Sequence, residues 1–136
     1  MLRYPRLPDV LFLHEEALRA SGGMPGIRDL GLIESALARP RACFGGRQLY
    51  RTRWEKAAAL LHSLVKNHGF VDGNKRAAWA TVSYFLEQNG QTIVASPSEI
   101  VGMLLEIEAD RLDVPGIARW LLAHARPLPG RRSPND

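Results

Sequence analysis

The stretch His68-Gly69-Phe70-Val71-Asp72-Gly73-Asn74-Lys75-Arg76 gathers a histidine, a carboxylate, a carboxamide, two adjacent cations and two glycines into nine residues. A helical pattern ends near His68 and another begins near Asn74, so these side chains sit on a short loop leading into a helix. The N-terminus of a helix presents unpaired N–H groups and a partial positive charge, and anions bind there. Gly73 would let the backbone come close to a ligand and offer its own N–H. Asn74 could donate to a phosphate oxygen. Lys75 and Arg76 add two full charges, the arginine as a planar fork suited to phosphate. Asp72, a lone carboxylate beside such a cradle, suits Mg²⁺, which keeps waters and takes one or two protein oxygens together with phosphates. His68 has an unperturbed pKa near working pH and could remove a proton from an attacking hydroxyl. Phe70 reads as the core anchor of the loop. Each residue alone has a plain structural reading, as dipole partner, turn cap or solvated helix start. Together they point to a nucleotide site that transfers part of a nucleotide onto a hydroxyl.

The elements that must position this loop are helical. A first helix is expected from Pro8 or Asp9 to about Ala20, with Val10, Leu11, Leu13, Ala17 and Leu18 on its apolar side. The following SGGMPG cannot continue it. Asp29 caps a short second helix that Pro40 ends, and a loop with Gly45 and Gly46 follows. Thr52, with Glu55 three residues on, opens a third helix to Asn67 in the manner of a capping box. The fourth, 74–89, is apolar around most of its surface and reads as the central buried helix. Gly90 stops it, and 91–95 can be a short extended piece. Ser96, Pro97 and Glu99 give a strong start to a fifth helix reaching Glu108. The last spans Asp113 to Ala125. The expected fold is all-α, a compact bundle of about six helices with almost no sheet, in one domain over 1–125. The segment 126–136 is expected to be a disordered tail.

Composition excludes several classes. With 136 residues, 46% apolar and 24% charged, the chain reads as one globular domain. The single cysteine, Cys43, cannot form an internal disulfide and is expected to be a small core residue. No apolar stretch approaches the roughly 20 residues that span a bilayer, and no targeting segment is evident, so a cytoplasmic location is expected. The net charge is +4, but 126–136 holds three arginines and one aspartate, so nucleic-acid binding is not favoured. One local run, Arg39, Arg41, Arg47, Arg51 and Arg53, contains no acid; it is either a solvated loop or a basic rim for phosphates or an acidic partner. His14, His62 and His124 lack metal-ligand spacing and read as structural or surface residues.

HGFVDGNKR resembles the signature of the Fic/Doc (Fido) family, His-x-Phe-x-Asp/Glu-(Gly or Ala)-Asn-(Gly or Lys)-Arg, at every fixed position. Residues 26–29 and 32–40 are similar to the early segment of the Doc-like branch, the death-on-curing toxins of type II toxin–antitoxin systems. The run from Glu55 to Asn67 resembles the helix before the motif. The resemblance covers about residues 5–122. It implies a Fic/Doc-type bundle in which His68 is the general base and Asp72 holds Mg²⁺. Gly73, Asn74, Lys75 and Arg76 would hold the phosphates of ATP. By position, the loop Gly22–Arg28, and within it Gly26, Ile27 and Arg28, corresponds to the flap that docks the target.

The AMP-transferring members carry a second arginine three residues after the first, where this chain has Trp79. The Doc branch also lacks it, and its members transfer the terminal phosphate of ATP to a threonine of elongation factor Tu. Gly73 points the other way, since the best-known member of that branch has alanine there. The resemblance thus implies a toxin kinase acting on a translation protein, with AMP transfer and a non-catalytic partner-binding protein as alternatives. A nucleic-acid-binding repressor rests on the arginine run alone. The implied partners are elongation factor Tu and a Phd-like antitoxin, binding through its C-terminal segment. The inhibitory motif Ser/Thr-x-x-x-Glu-Gly/Asn is not found in the early part of the sequence, so control within the chain is not expected.

Overall fold

Two helices carry the centre of the fold, and both border the loop of interest. In the computed structural model, which describes residues 1–129, α3 spans Arg53–Asn67 and α4 spans Asn74–Gln88. They pack against each other. From α4 come Ala77, Ala78, Thr81, Val82, Phe85 and Leu86 as buried residues, the central helix expected from its all-round apolar pattern. Helix α3 shares that place: it runs buried from Lys56 through Leu61 and again over Ser63–Val65. The alanines at 57, 58 and 59 let neighbouring helices approach α3 closely.

Around this pair lie α1 (Leu7–Ser21), against α4; α2 (Leu30–Ala38), against α3; and α5 (Pro97–Glu108) and α6 (Val114–His124), both against α3. The main core joins Leu60, Leu61, Leu64, Val82, Phe85, Leu86, Ile107, Ile117 and Leu121. A smaller cluster of Val10, Ile33, Phe70 and Ala77 lies under the loop 68–76. The helix starts follow the caps in the sequence. Asp29 accepts from Leu32 N–H, Asp113 from Gly116 N–H, and Ser96 with Glu99 forms a full capping box. At Thr52 only half of the expected box forms. Its hydroxyl accepts from Glu55 N–H but donates to the Glu55 carboxylate, which leaves the Thr52 backbone alone.

Three local expectations change. Gly45 and Gly46, at φ 58° and 78°, turn a small hairpin that pairs β1 (Cys43–Phe44) with β2 (Arg47–Gln48). Cys43 is therefore exposed on a hairpin strand and is not a core residue. The second sheet pairs β3 (Gln91–Ile93) with β4 (Ala125–Pro127). The expected tail thus starts too early at 126: Arg126 and Pro127 are held by a strand partner, and Leu128 N–H bonds Gly90 C=O. The rest of the expected tail, 130–136, lies outside the described residues.

The arginine run is mostly spent inside the molecule. Arg39 reaches the Tyr50 hydroxyl, His62 Nδ1 and Ser63 Oγ, Arg41 lies 4.7 Å from the centre of the Tyr4 ring, and Arg53 donates to Asn89 C=O. Beside it, the buried Lys56 ammonium donates to Pro40 C=O, Gln48 Oε1 and Tyr50 C=O. Burial lowers the Lys56 pKa, and its three acceptors are all uncharged. Lys56 therefore fastens the hairpin and the turn before it to α3. Lys56→Met keeps the length of the side chain and strands these acceptors, so it is expected to cost about 2–4 kcal/mol. Urea unfolding measures the loss, and hydrogen exchange should quicken first over 43–50.

Candidate active site

Helix α3 stops at His68, whose backbone is left-handed (φ 49°, ψ 52°), uncommon for a residue with a side chain. Arg28 holds it there. Its guanidinium donates from Nε to His68 C=O (2.6 Å) and from a terminal nitrogen to Asn67 C=O (2.9 Å), capping the last carbonyls of α3. Residues 26–28 then run antiparallel to 69–71. Arg28 and Asp29 N–H both reach Gly69 C=O, Val71 N–H reaches Gly26 C=O, and Ile27 bridges Phe70. Only glycine fits at 69, because a Cβ there would collide with the Ile33 side chain.

Phe70 turns inward and is 3% exposed. It packs with Val10, Ile33 and Ala77 and lies flat on the His14 ring, centroids 3.7 Å apart and planes 9° apart. The His14 Nε2 is 2.7 Å from Asp72 C=O. Asn74 folds back over the same residue: its Oδ1 accepts from Phe70 N–H and its Nδ2 donates to Phe70 C=O. The carboxamide expected at a phosphate is thus engaged on both sides in closing the loop, with one N–H left over.

Asp72 joins the loop to the segment across from it. One carboxylate oxygen accepts from Gly73 N–H (2.8 Å) and the other from Met24 N–H (3.1 Å). The Met24 bond, then the Gly73 bond, hold its pKa below the usual carboxylate range; partial desolvation opposes them, and the charges of Arg76 and His14 add to them. Gly73 takes the left-handed N-cap position of α4 (φ 75°), and its own N–H is spent on Asp72. No side chain caps the N-terminus of α4, so its amides face outward unclaimed by a cap. Lys75 Nζ lies 2.8 Å from Glu108 Oε2, and Arg76 donates to Gly22 C=O (2.7 Å) and Ala17 C=O (3.4 Å).

His68, Asp72, Gly73, Asn74, Lys75 and Arg76 together line a cavity of about 290 Å³, with Val71. Phe70 lies beneath it as an anchor, and Gly26, Ile27 and Arg28 form the strand beside it. His68 is exposed at the rim. The donor set suits a hard, hydrated cation carried with a phosphate. Asp72 is ionised and each of its oxygens keeps a lone pair, and no cluster of three His, Cys, Asp or Glu occurs among the described residues. Trp79 turns away from the cavity: it packs on the main core and meets Trp120 edge-on at 6.1 Å.

Three contributors lie outside the nine-residue motif. His14, expected to be a structural or surface residue, is structural, and its place is under the loop. The sequence did carry a signal, since it falls four residues after Val10 on the buried stripe of α1. Glu108 comes from the far end of α5, and no local pattern announces it. Gly23 passes so near that an added Cβ would be 2.8 Å from Asp72 Oδ2 and 2.9 Å from an Arg76 nitrogen.

The bonds to Asp72 carry a pH signature. Its folded pKa is lowered, so its contribution to stability is present above the unfolded carboxylate pKa, near about 3.9, and is lost as pH falls through the lower folded value. Asp72→Asn is expected to be less stable than the parent at about pH 6 and to show a narrower gap at about pH 3, below the unfolded carboxylate value. Urea midpoints at the two pH values measure it, and a gap undiminished in acid would contradict the assignment.

Comparison with known proteins agrees with this geometry. The sequence model described as "Fic/DOC family" matches residues 4–86. The chain is 51% identical over 76 residues to "Toxin Doc" of Mycolicibacterium smegmatis, an alignment covering 56% of this chain and 58% of that protein. It is 27% identical over 120 residues to "Protein kinase doc" of Escherichia phage P1, covering 88% of this chain and 94% of the phage protein. The match to the mycobacterial relative thus spans little more than half of that relative's length. Among the described residues, no helix is long and apolar enough to cross a membrane. The chain belongs to the Fic/Doc family.

Proposed function

We propose that this protein is a Doc-like toxin kinase, which transfers the terminal phosphate of ATP to a hydroxyl of a translation protein and so arrests growth. The observation that carries the reading is the cavity at the N-terminus of α4, which Lys75, Arg76, Asp72 and His68 line together. Two further observations favour phosphate over AMP as the group moved. Trp79, at the position of the second arginine of AMP-transferring members, is partly buried against the main core and offers the cavity no charge. The phage relative aligned over most of both chains bears the name of a protein kinase.

In the proposed reaction, Lys75, Arg76, the amides of α4 and the remaining Asn74 N–H hold the phosphates. Asp72 would hold a Mg²⁺, which would neutralise part of the phosphate charge. His68 accepts the proton of the target hydroxyl, whose oxygen bonds to the terminal phosphorus as the bond to the bridging oxygen breaks, and ADP leaves with that electron pair. The segment 26–28, paired on one edge with 69–71, exposes Ile27 beside Val71. It is the proposed flap on which the target docks, a threonine-bearing segment of elongation factor Tu being the expected target. A Phd-like antitoxin would oppose the toxin through its C-terminal segment, in the cytoplasm.

Incubation of the protein with a translation extract and either γ-labelled or α-labelled ATP tests the reading. Label on a protein from γ-labelled ATP alone is the expected result; label from α-labelled ATP would mean AMP transfer and overturn the kinase reading. His68→Ala is expected to lower the rate by about 10²–10⁴-fold. If that variant still arrested growth as strongly as the parent, a non-catalytic, partner-binding action would replace the enzyme.

A further inference from the structure

Lys75 is not free to meet a ligand as the chain stands. Its ammonium forms an ion pair with Glu108, the last residue of α5, 33 positions along the chain and beyond the stretch matched by the family model. The pair is half-buried, with side-chain exposures of 39% and 34%, so it is less screened than a surface pair. Its geometry is built rather than incidental. Lys66, near the end of α3, donates to Glu108 C=O at 3.1 Å and pairs with the Asp110 carboxylate at 2.8 Å. Asp110 itself takes a left-handed turn (φ 61°) just after the helix. Lys66 thereby locks the C-terminal end of α5 against the C-terminal end of α3, and that lock delivers the Glu108 side chain to Lys75. The Lys75 bond comes first among the causes that hold the Glu108 carboxyl below its usual range, followed by the Lys75 charge and then by His68 and Lys66, so it is a full anion facing this site.

We propose that Glu108 is the resident counter-ion of the phosphate site: it holds Lys75 at the cavity wall and competes with an incoming phosphate for that ammonium. The inference rests on the phosphate-site reading given above and adds a residue that sets the affinity of that site. Lysine has a single charge to share. A phosphate that approaches Lys75 meets the Glu108 carboxylate already there, and each contact it gains weakens the existing pair. Removing the Glu108 charge while keeping its shape leaves Lys75 in place and undivided, so anions should bind more tightly.

Calorimetric titration of Mg-ATP, and separately of inorganic pyrophosphate, into the parent, Glu108→Gln, Lys75→Met and the double variant tests this. Glu108→Gln is expected to bind both ligands about three- to tenfold more tightly than the parent. That gain is expected to vanish when Lys75→Met is present, because the competition acts through the ammonium. Equal or weaker binding by Glu108→Gln would overturn the proposal, as would an undiminished gain in the Lys75→Met background, which would mean a general charge effect. Glu108→Ala provides a second variant should the glutamine form lose its thermal unfolding transition. A parent that binds neither ligand would overturn the phosphate-site reading and this inference with it, whereas a parent that binds while Glu108→Gln shows no gain would overturn this inference alone.

Discussion

The loop between α3 and α4 must bury Phe70 while keeping His68 and Asp72, two residues to either side, at the surface. Burying a phenylalanine is worth about 1.5–3 kcal/mol, enough to choose one conformation of a short loop. The choice carries costs that neighbouring residues meet one by one. His68 must leave the helix in a left-handed turn, and Arg28 binds the carbonyls this exposes. The Phe70 backbone is bracketed by the Asn74 carboxamide on both its N–H and its C=O. Above the ring lies His14, which also fixes the carbonyl of Asp72. One apolar residue pressed into a pocket of Val10, Ile33 and Ala77 thus sets the backbone around both proposed functional groups.

Where the sequence was legible, short-range chemistry decides the outcome. Asp29, Ser96 and Asp113 cap helices because a small polar side chain in front of an apolar period has few other uses. The motif residues gather because they are adjacent, and adjacency in a turn is proximity. Legibility failed where a partner came from far along the chain, or where a turn decided what a side chain meets. Arg126 is polar, prolines follow it closely, and it lacks helical periodicity, all of which suggest a loose end; yet Thr92 waits across from it in β3. Cys43 is small and apolar by type, but the glycines at 45 and 46 place it on a two-residue strand with no second layer above it. Asn74, expected as a phosphate donor, also closes the loop on Phe70 with its oxygen and one N–H, a second use that its type alone does not announce and that leaves one N–H over.

The same distinction separates the charges. In sequence, Arg39, Arg41 and Arg53 form a basic run; in the fold they are aimed at a hydroxyl, a ring and a carbonyl of the protein itself. Conversely, Lys75 and Arg76 look free in sequence and are both engaged, one by a carboxylate and one by carbonyls. The engagements differ in kind. Neutral carbonyls leave the charge of Arg76 intact for an anion and merely aim the guanidinium. The carboxylate at Lys75 neutralises as well as aims.

That difference gives the cavity its electrostatic design. Without Glu108 the loop would carry two cations against the single carboxylate of Asp72, beside the positive end of α4. With Glu108 pairing Lys75, the charge of Arg76 is left beside the ionised Asp72. On the proposed phosphate-site reading, a phosphate arriving at Lys75 would exchange one anion for another, a swap whose cost would depend on the difference between two similar contacts. Because Glu108 is delivered by Lys66 and the turn at Asp110, the ends of α3 and α5 would set that cost together. On that proposal the affinity of the cavity depends on residues outside the nine-residue motif.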